Sequence, residues 1–131
     1  MLDNTITLAY DAEGDGNPVN VVIVRDQEYP DRSVYIFPDA DAADHNVTFY
    51  RTRPKPSGNF KGVQRTREKL TKPVTVDGID GNLVASAAIV EMSTSFPKGM
   101  TDAEKIAVLQ ESLALQIHAV LRTNHYLAGS V

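Results

Sequence analysis

The chain has 131 residues, 42% of them apolar, no cysteine and a net charge of −4. That length fits one domain with its own core, aided by oligomerisation. Disulfides and thiolate chemistry are excluded, and no apolar run approaches the roughly 20 residues of a membrane span. Met1-Leu2-Asp3-Asn4 lacks the basic and apolar regions of a signal peptide, so the chain reads as soluble and cytosolic, or assembled in the cytosol.

The charge is segregated. Residues 1–50 carry a net −8, residues 51–75 a net +7 and residues 76–131 a net −3. A basic block inside an acidic chain points to an anionic partner such as nucleic acid, unless the strands interleave the charges.

Thr5 to Tyr10 alternates apolar and polar residues, as a strand does. Asp11 to Asn17 is dense in turn formers, and Pro18 to Arg25 is a second apolar strand. Residues 1–25 therefore form a β-hairpin. The Asp-Gly-Asp-Gly patch in its turn lacks the later carboxylates of a calcium loop and reads as turn. Ser33 to Pro38 is a short strand ended by proline. Asp39, Asp41 and Asp44 then fail the EF-hand pattern, since its glycine and closing glutamate are missing. They read as a solvated turn, and His45 beside them as a surface histidine. No metal site and no cofactor are expected.

Asn46 to Arg53 is the next strand, with Val47 and Phe49 on one face and Thr48, Tyr50 and Thr52 on the other. Pro54 to Gly58 is a turn. Asn59 to Lys72 follows as a strand whose alternation puts Lys61, Val63, Arg65, Arg67 and Lys69 on one face. A nearly pure basic face repels itself and suggests an anionic ligand; the plainer reading is an edge strand charged against aggregation. Pro73 cannot donate to a ladder, so a break or bulge is expected there. Asp77 to Asn82 is a hairpin loop with two Asp-Gly pairs, and Leu83 to Phe96 is a long, apolar, central strand. Residues 33–96 thus form the sheet.

Thr101-Asp-Ala-Glu104 is a capping box. Ile106, Leu109, Leu113, Ile117, Val120 and Leu121 then recur at helical spacing. The helical region spans 101–125, as one helix or two joined by a bend. His118, beside the apolar stripe, reads as a packed residue rather than a catalyst. Strands followed by helix imply an α+β fold with a helical layer on one sheet face. No nucleophile elbow, phosphate-binding loop or HExxH motif is present, so an enzyme is not expected.

The layout resembles the coat proteins of single-stranded RNA bacteriophages, the leviviruses. The resemblance rests on the two basic-aromatic strands Val47 to Arg53 and Phe60 to Lys69, the loop Asp77 to Asn82, the long strand Leu83 to Phe96, and the capped helix from Thr101. It implies an α+β fold with an N-terminal β-hairpin, a five-stranded antiparallel sheet and C-terminal helices, in an interlocked homodimer. It further implies a virion protein assembled in the host cytoplasm. Such dimers tile an icosahedral shell around single-stranded genomic RNA, and an RNA hairpin on the sheet also represses translation. RNA-contacting residues implied are Thr48, Tyr50 and Thr52 on one strand. On the next they are Lys61, Arg65, Arg67 and Lys69, chosen over the opposite face because phosphate neutralisation supplies most of the salt-dependent affinity. Tyr50 is suited to stacking on an unpaired base. Two alternatives are a cellular RNA-binding dimer that builds no shell, and a small α+β enzyme with a pocket between sheet and helix.

Overall fold

A computed structural model of the chain describes residues 2–12, 14–38 and 44–127. The acidic turn at Asp39 and Asp41 lies outside the described residues. Six strands form one sheet in sequence order: β1 (Thr5–Tyr10), β2 (Val19–Tyr29), β3 (Arg32–Ile36), β4 (Asn46–Thr52), β5 (Val63–Asp77) and β6 (Leu83–Pro97). Two helices follow, α1 (Asp102–Ile117) and α2 (Ala119–Leu121), then a π-helical segment, Arg122–Leu127. The chain divides into two compact units. One holds residues up to Pro54 and Gln64–Ser95; the other holds Lys55–Val63 and the chain from Phe96 onward.

In the first unit β2 serves two purposes. Its first half pairs with β1, from Tyr10↔Val19 to Thr5↔Val24, and closes the hairpin. Its second half pairs with β3, from Val24↔Ile36 to Tyr29↔Arg32. The sheet therefore has six strands rather than five: residues 32–97 supply four, β3 to β6, and both hairpin strands join them. Ile23, Tyr35, Phe37 and Val47 form the buried core, with Ile6, Leu8, Val21, Phe49 and Leu70 packed against it. Tyr35 is fully buried and meets the Phe49 ring edge-on at 5.6 Å. Its hydroxyl donates to the Asp3 carbonyl, which satisfies the polar end.

Several expectations from sequence need correction. His45 is buried, not at the surface: its ring stacks flat on Phe37 at 3.9 Å, and its carbonyl accepts from the Phe37 amide. The β3–β4 connection therefore closes on an aromatic pair. β5 runs through Pro73 without a break. β4 begins at Asn46, opposite Thr71, so Pro73 lies past that ladder and its missing donor costs nothing there. β6 is an edge strand, not a central one, because it ends the strand order. His118 is exposed rather than packed, and its extended backbone separates α1 from α2.

In the second unit, Ser57 and Phe60 exchange backbone hydrogen bonds around Gly58. Gly62 has a φ of 97° and sits against the Lys55 backbone, where a Cβ would come within 2.8 Å. Only glycine fits both demands. β5 therefore starts at Val63, not at Asn59. Thr101 caps α1 by accepting from the Glu104 amide at 3.2 Å. None of the residues of α1 is buried.

Glu68 occupies the core-side face of β5, opposite Phe49. It lines a cleft of about 860 Å³ with Leu2, Phe49 and Met92. Arg51 reaches the same cleft but pairs with Glu28. Burial raises the Glu68 pKa above the ordinary carboxylate value. A raised folded-state pKa means the folded chain binds the proton more tightly than the unfolded one, so stability falls as pH rises through that value. Glu68→Gln should accordingly raise the melting temperature at pH 7. Melts in an acidic series should show the advantage shrinking as wild-type Glu68 becomes protonated.

Candidate nucleic-acid interface

The face of the sheet opposite the core is set by register. Thr48, Tyr50 and Thr52 of β4 lie directly opposite Lys69, Arg67 and Arg65 of β5. Directly opposed residues project to the same side, so the two sets share one face. β5 has neighbours on both sides, β4 and β6. Its positive charges are therefore not the guard of an open edge.

The Arg67 guanidinium lies over the Tyr50 ring, 4.1 Å from its centroid. Among the described residues, no carboxylate forms a salt bridge with Arg65 or Arg67. Lys69 meets Glu91 of β6 at 4.0 Å, which puts Glu91 on the same face and, by alternation, Ser93 and Ser95 with it. A shallow depression of about 340 Å³ runs along Tyr50, Thr52, Arg65, Arg67, Ser93 and Ser95. Lys61 does not belong to this alternation: it precedes the strand, in the turn that Gly62 ends, and is exposed.

The other bases of the basic block divide by parity. Arg51 points to the opposite face and holds the β2–β3 turn. It donates to the carbonyls of Tyr29 (2.6 Å) and Pro30 (3.2 Å) and to the Ser33 hydroxyl (2.9 Å), and it pairs with Glu28. Ser33 also donates to Glu28 at 2.5 Å; that bond first, then Arg51, holds the Glu28 carboxyl below its usual range.

Sequence reasoning misses two residues of the face, Tyr29 and Arg32. The cause is a bulge in β2 between Arg25 and Gln27. Plain alternation groups Tyr29 with Ile23 and Val21. The extra residue, Asp26, reverses the parity and turns Gln27 and Tyr29 to the side of Arg32 and Tyr50. Asp26 lies in a polar run, Arg25 to Glu28, so nothing local marks it as the inserted residue.

Glu91 opposes the charge of this face. If the face binds an anion, Glu91→Gln should tighten single-stranded RNA binding several-fold at low salt, with the gain fading as salt screens it. A filter-binding series across salt concentrations would read this.

No protein-family model matches the chain, and no curated protein matches it. Solved structures do. The coat of the virus-like particle of Beihai levi-like virus 32 aligns at a TM-score of 0.73 and 20% identity, over 85% of this chain and 88% of that one. That of Wenzhou levi-like virus 4 aligns at 0.68 and 23% identity, over 96% and 88%. That of bacteriophage NT-214 aligns at 0.66 and 17% identity, over 99% and 98%. The fold is that of levi-like phage coat proteins.

Proposed function

We propose that this chain is the coat protein of a single-stranded RNA phage: it dimerises, assembles into an icosahedral shell in the host cytoplasm, and packages genomic RNA. Its role in the virion is structural rather than catalytic. The observation that carries the reading is the β4–β5 register, which joins Thr48, Tyr50 and Thr52 to Arg65, Arg67 and Lys69 on one face, within a fold otherwise met in virus-like particles. Arginines and lysine supply phosphate neutralisation, and Tyr50 supplies a stacking surface for an unpaired base. Lys61 joins them if the shell brings its turn to the RNA. An RNA hairpin held on this face would block a message and repress its translation.

Two features support the homodimer. The helical stripe Ile106, Leu109, Leu113, Ile117, Val120 and Leu121 is exposed throughout, and an apolar stripe demands a cover. β6 is a fifteen-residue edge strand with Val84, Ile89 and Val90 exposed, a surface that pairs readily with another chain. A second copy meets both needs through one two-fold axis.

Light scattering over a dilution series tests this. Megadalton particles, or dimers that convert to them, agree with a coat protein. A stable dimer at every concentration means an RNA-binding protein that builds no shell. For an enzyme, the large cleft offers Glu28 and Glu68 but no histidine among its lining residues, and Glu28 is tied to Ser33 and Arg51.

A further inference from the structure

The RNA-facing strand pair does not stand alone. Tyr29 lies opposite Arg32, Arg32 opposite Tyr50, and Tyr50 opposite Arg67. These four residues form one row across β2, β3, β4 and β5. Aromatic and cation alternate along it, and each arginine covers a tyrosine: Arg32 lies 4.7 Å from the Tyr29 ring centroid and Arg67 lies 4.1 Å from that of Tyr50. We infer that Tyr29 and Arg32 form a second nucleotide slot, a copy of the Tyr50–Arg67 slot two strands away, and that the row holds two bases splayed apart in single-stranded or looped RNA. This rests on the RNA-binding reading above.

Three observations carry it. Tyr29 is 39% exposed even though Arg32 lies over one face of its ring. Among the described residues no carboxylate forms a salt bridge with Arg32, so its charge is available. The turn that presents both residues is held from behind by Arg51, bonded to the Tyr29 and Pro30 carbonyls. A pre-fixed turn spares the ligand the cost of ordering it. The bulge at Asp26 has its purpose here, since without it Tyr29 would project to the opposite face.

The spacing identifies the ligand. Residues two strands apart in a row are separated by roughly 10 Å, at about 4.8 Å per strand. Bases stacked on one another rise only about 3.4 Å apart, so neighbouring stacked bases cannot occupy both slots. Unstacked bases of a loop, bulge or extended strand can.

The test is equilibrium binding of the full-length chain to a labelled mixed-sequence single-stranded RNA, with salt varied and the same sequence as a duplex competitor. Tyr29→Leu should weaken binding about five- to a hundred-fold, the range for loss of one base–aromatic stack. Tyr29→Phe should restore it, because the ring is what matters. Arg32→Gln should lower the slope of log affinity against log salt by about 0.7, one single-strand phosphate contact. Circular dichroism identifies any misfolded variant, and Arg32→Gln then serves as the independent probe. If Tyr29→Leu and Arg32→Gln bind as wild type while Tyr50→Leu and Arg67→Gln are weakened, the second slot is overturned and the first stands. If the duplex competes as well as the single strand, the splayed-base reading is overturned. If wild type binds no RNA, both readings fall together.

Discussion

Reversing Arg65 and Arg67 to Glu should strip RNA from the purified protein. Both side chains project from an interior strand beside Tyr50 and Thr52, and neither has a carboxylate salt-bridge partner among the described residues. A hydrogen bond to a charged group contributes about 1.5–3 kcal/mol, so losing two weakens binding by roughly a hundredfold to ten-thousandfold before repulsion is added. The salt slope should also fall by about 1.4, two single-strand phosphate contacts. The absorbance ratio at nucleic-acid and protein wavelengths reads the first effect, and a salt titration reads the second. Lys72→Glu is the matched control. It lies on the same strand but, by alternation, on the opposite face. Against a single Arg67→Glu it makes the same change in net charge and should leave the RNA content unchanged. Equal losses from both would mean that overall charge, not this face, governs binding.

Leu113→Asp together with Ile117→Asp should abolish assembly. The two residues are 49% and 58% exposed, in a stripe that continues through Ile106, Leu109, Val120 and Leu121. Fully burying a large aliphatic side chain contributes about 1.5–3 kcal/mol, and each of these six is still roughly half exposed, so covering the stripe supplies roughly 4–9 kcal/mol towards association before its entropic cost. Two buried carboxylates remove that gain and add a desolvation penalty. Sedimentation should show loss of particles and a shift to monomer or amorphous aggregate. Glu111→Lys, a charge reversal on the side of α1 away from the stripe, should still assemble.

The sequence carried the order of elements because their signals are local. Turn formers at Asp11–Asn17 and Asp77–Asn82, alternation in Thr5–Tyr10 and Asn46–Thr52, and the Thr101 cap each act within a few residues. All reappear as the hairpin, the strands and the start of α1. Non-local geometry was less legible. Alternation grouped Arg65 with Arg67 and Tyr50 with Thr52, but only the β4–β5 register brought the groups to one face. Tyr29 and Arg32 escaped because one inserted residue, Asp26, reverses parity midway along β2. The burial of His45 is not local: it depends on Phe37, on the far side of a connection. Alternation extends the strand to Lys61 because it cannot show that Gly62 must turn against Lys55. The cost of Pro73 depends on where β4 begins, which its own neighbours do not reveal.

Glu68 and Glu91 mark where the coat-protein reading meets resistance from single residues. Each sits where a neutral side chain would serve better, one half-buried beside Phe49 and Met92 and one on the basic face. A less stable cleft and a moderated grip on RNA are the expected consequences.

The most direct measurement is electron microscopy of the expressed protein, with nucleic-acid absorbance taken on the same sample. Closed, uniform particles that contain RNA are the predicted result. Dimers without particles, or particles that form normally but carry no nucleic acid, would contradict it.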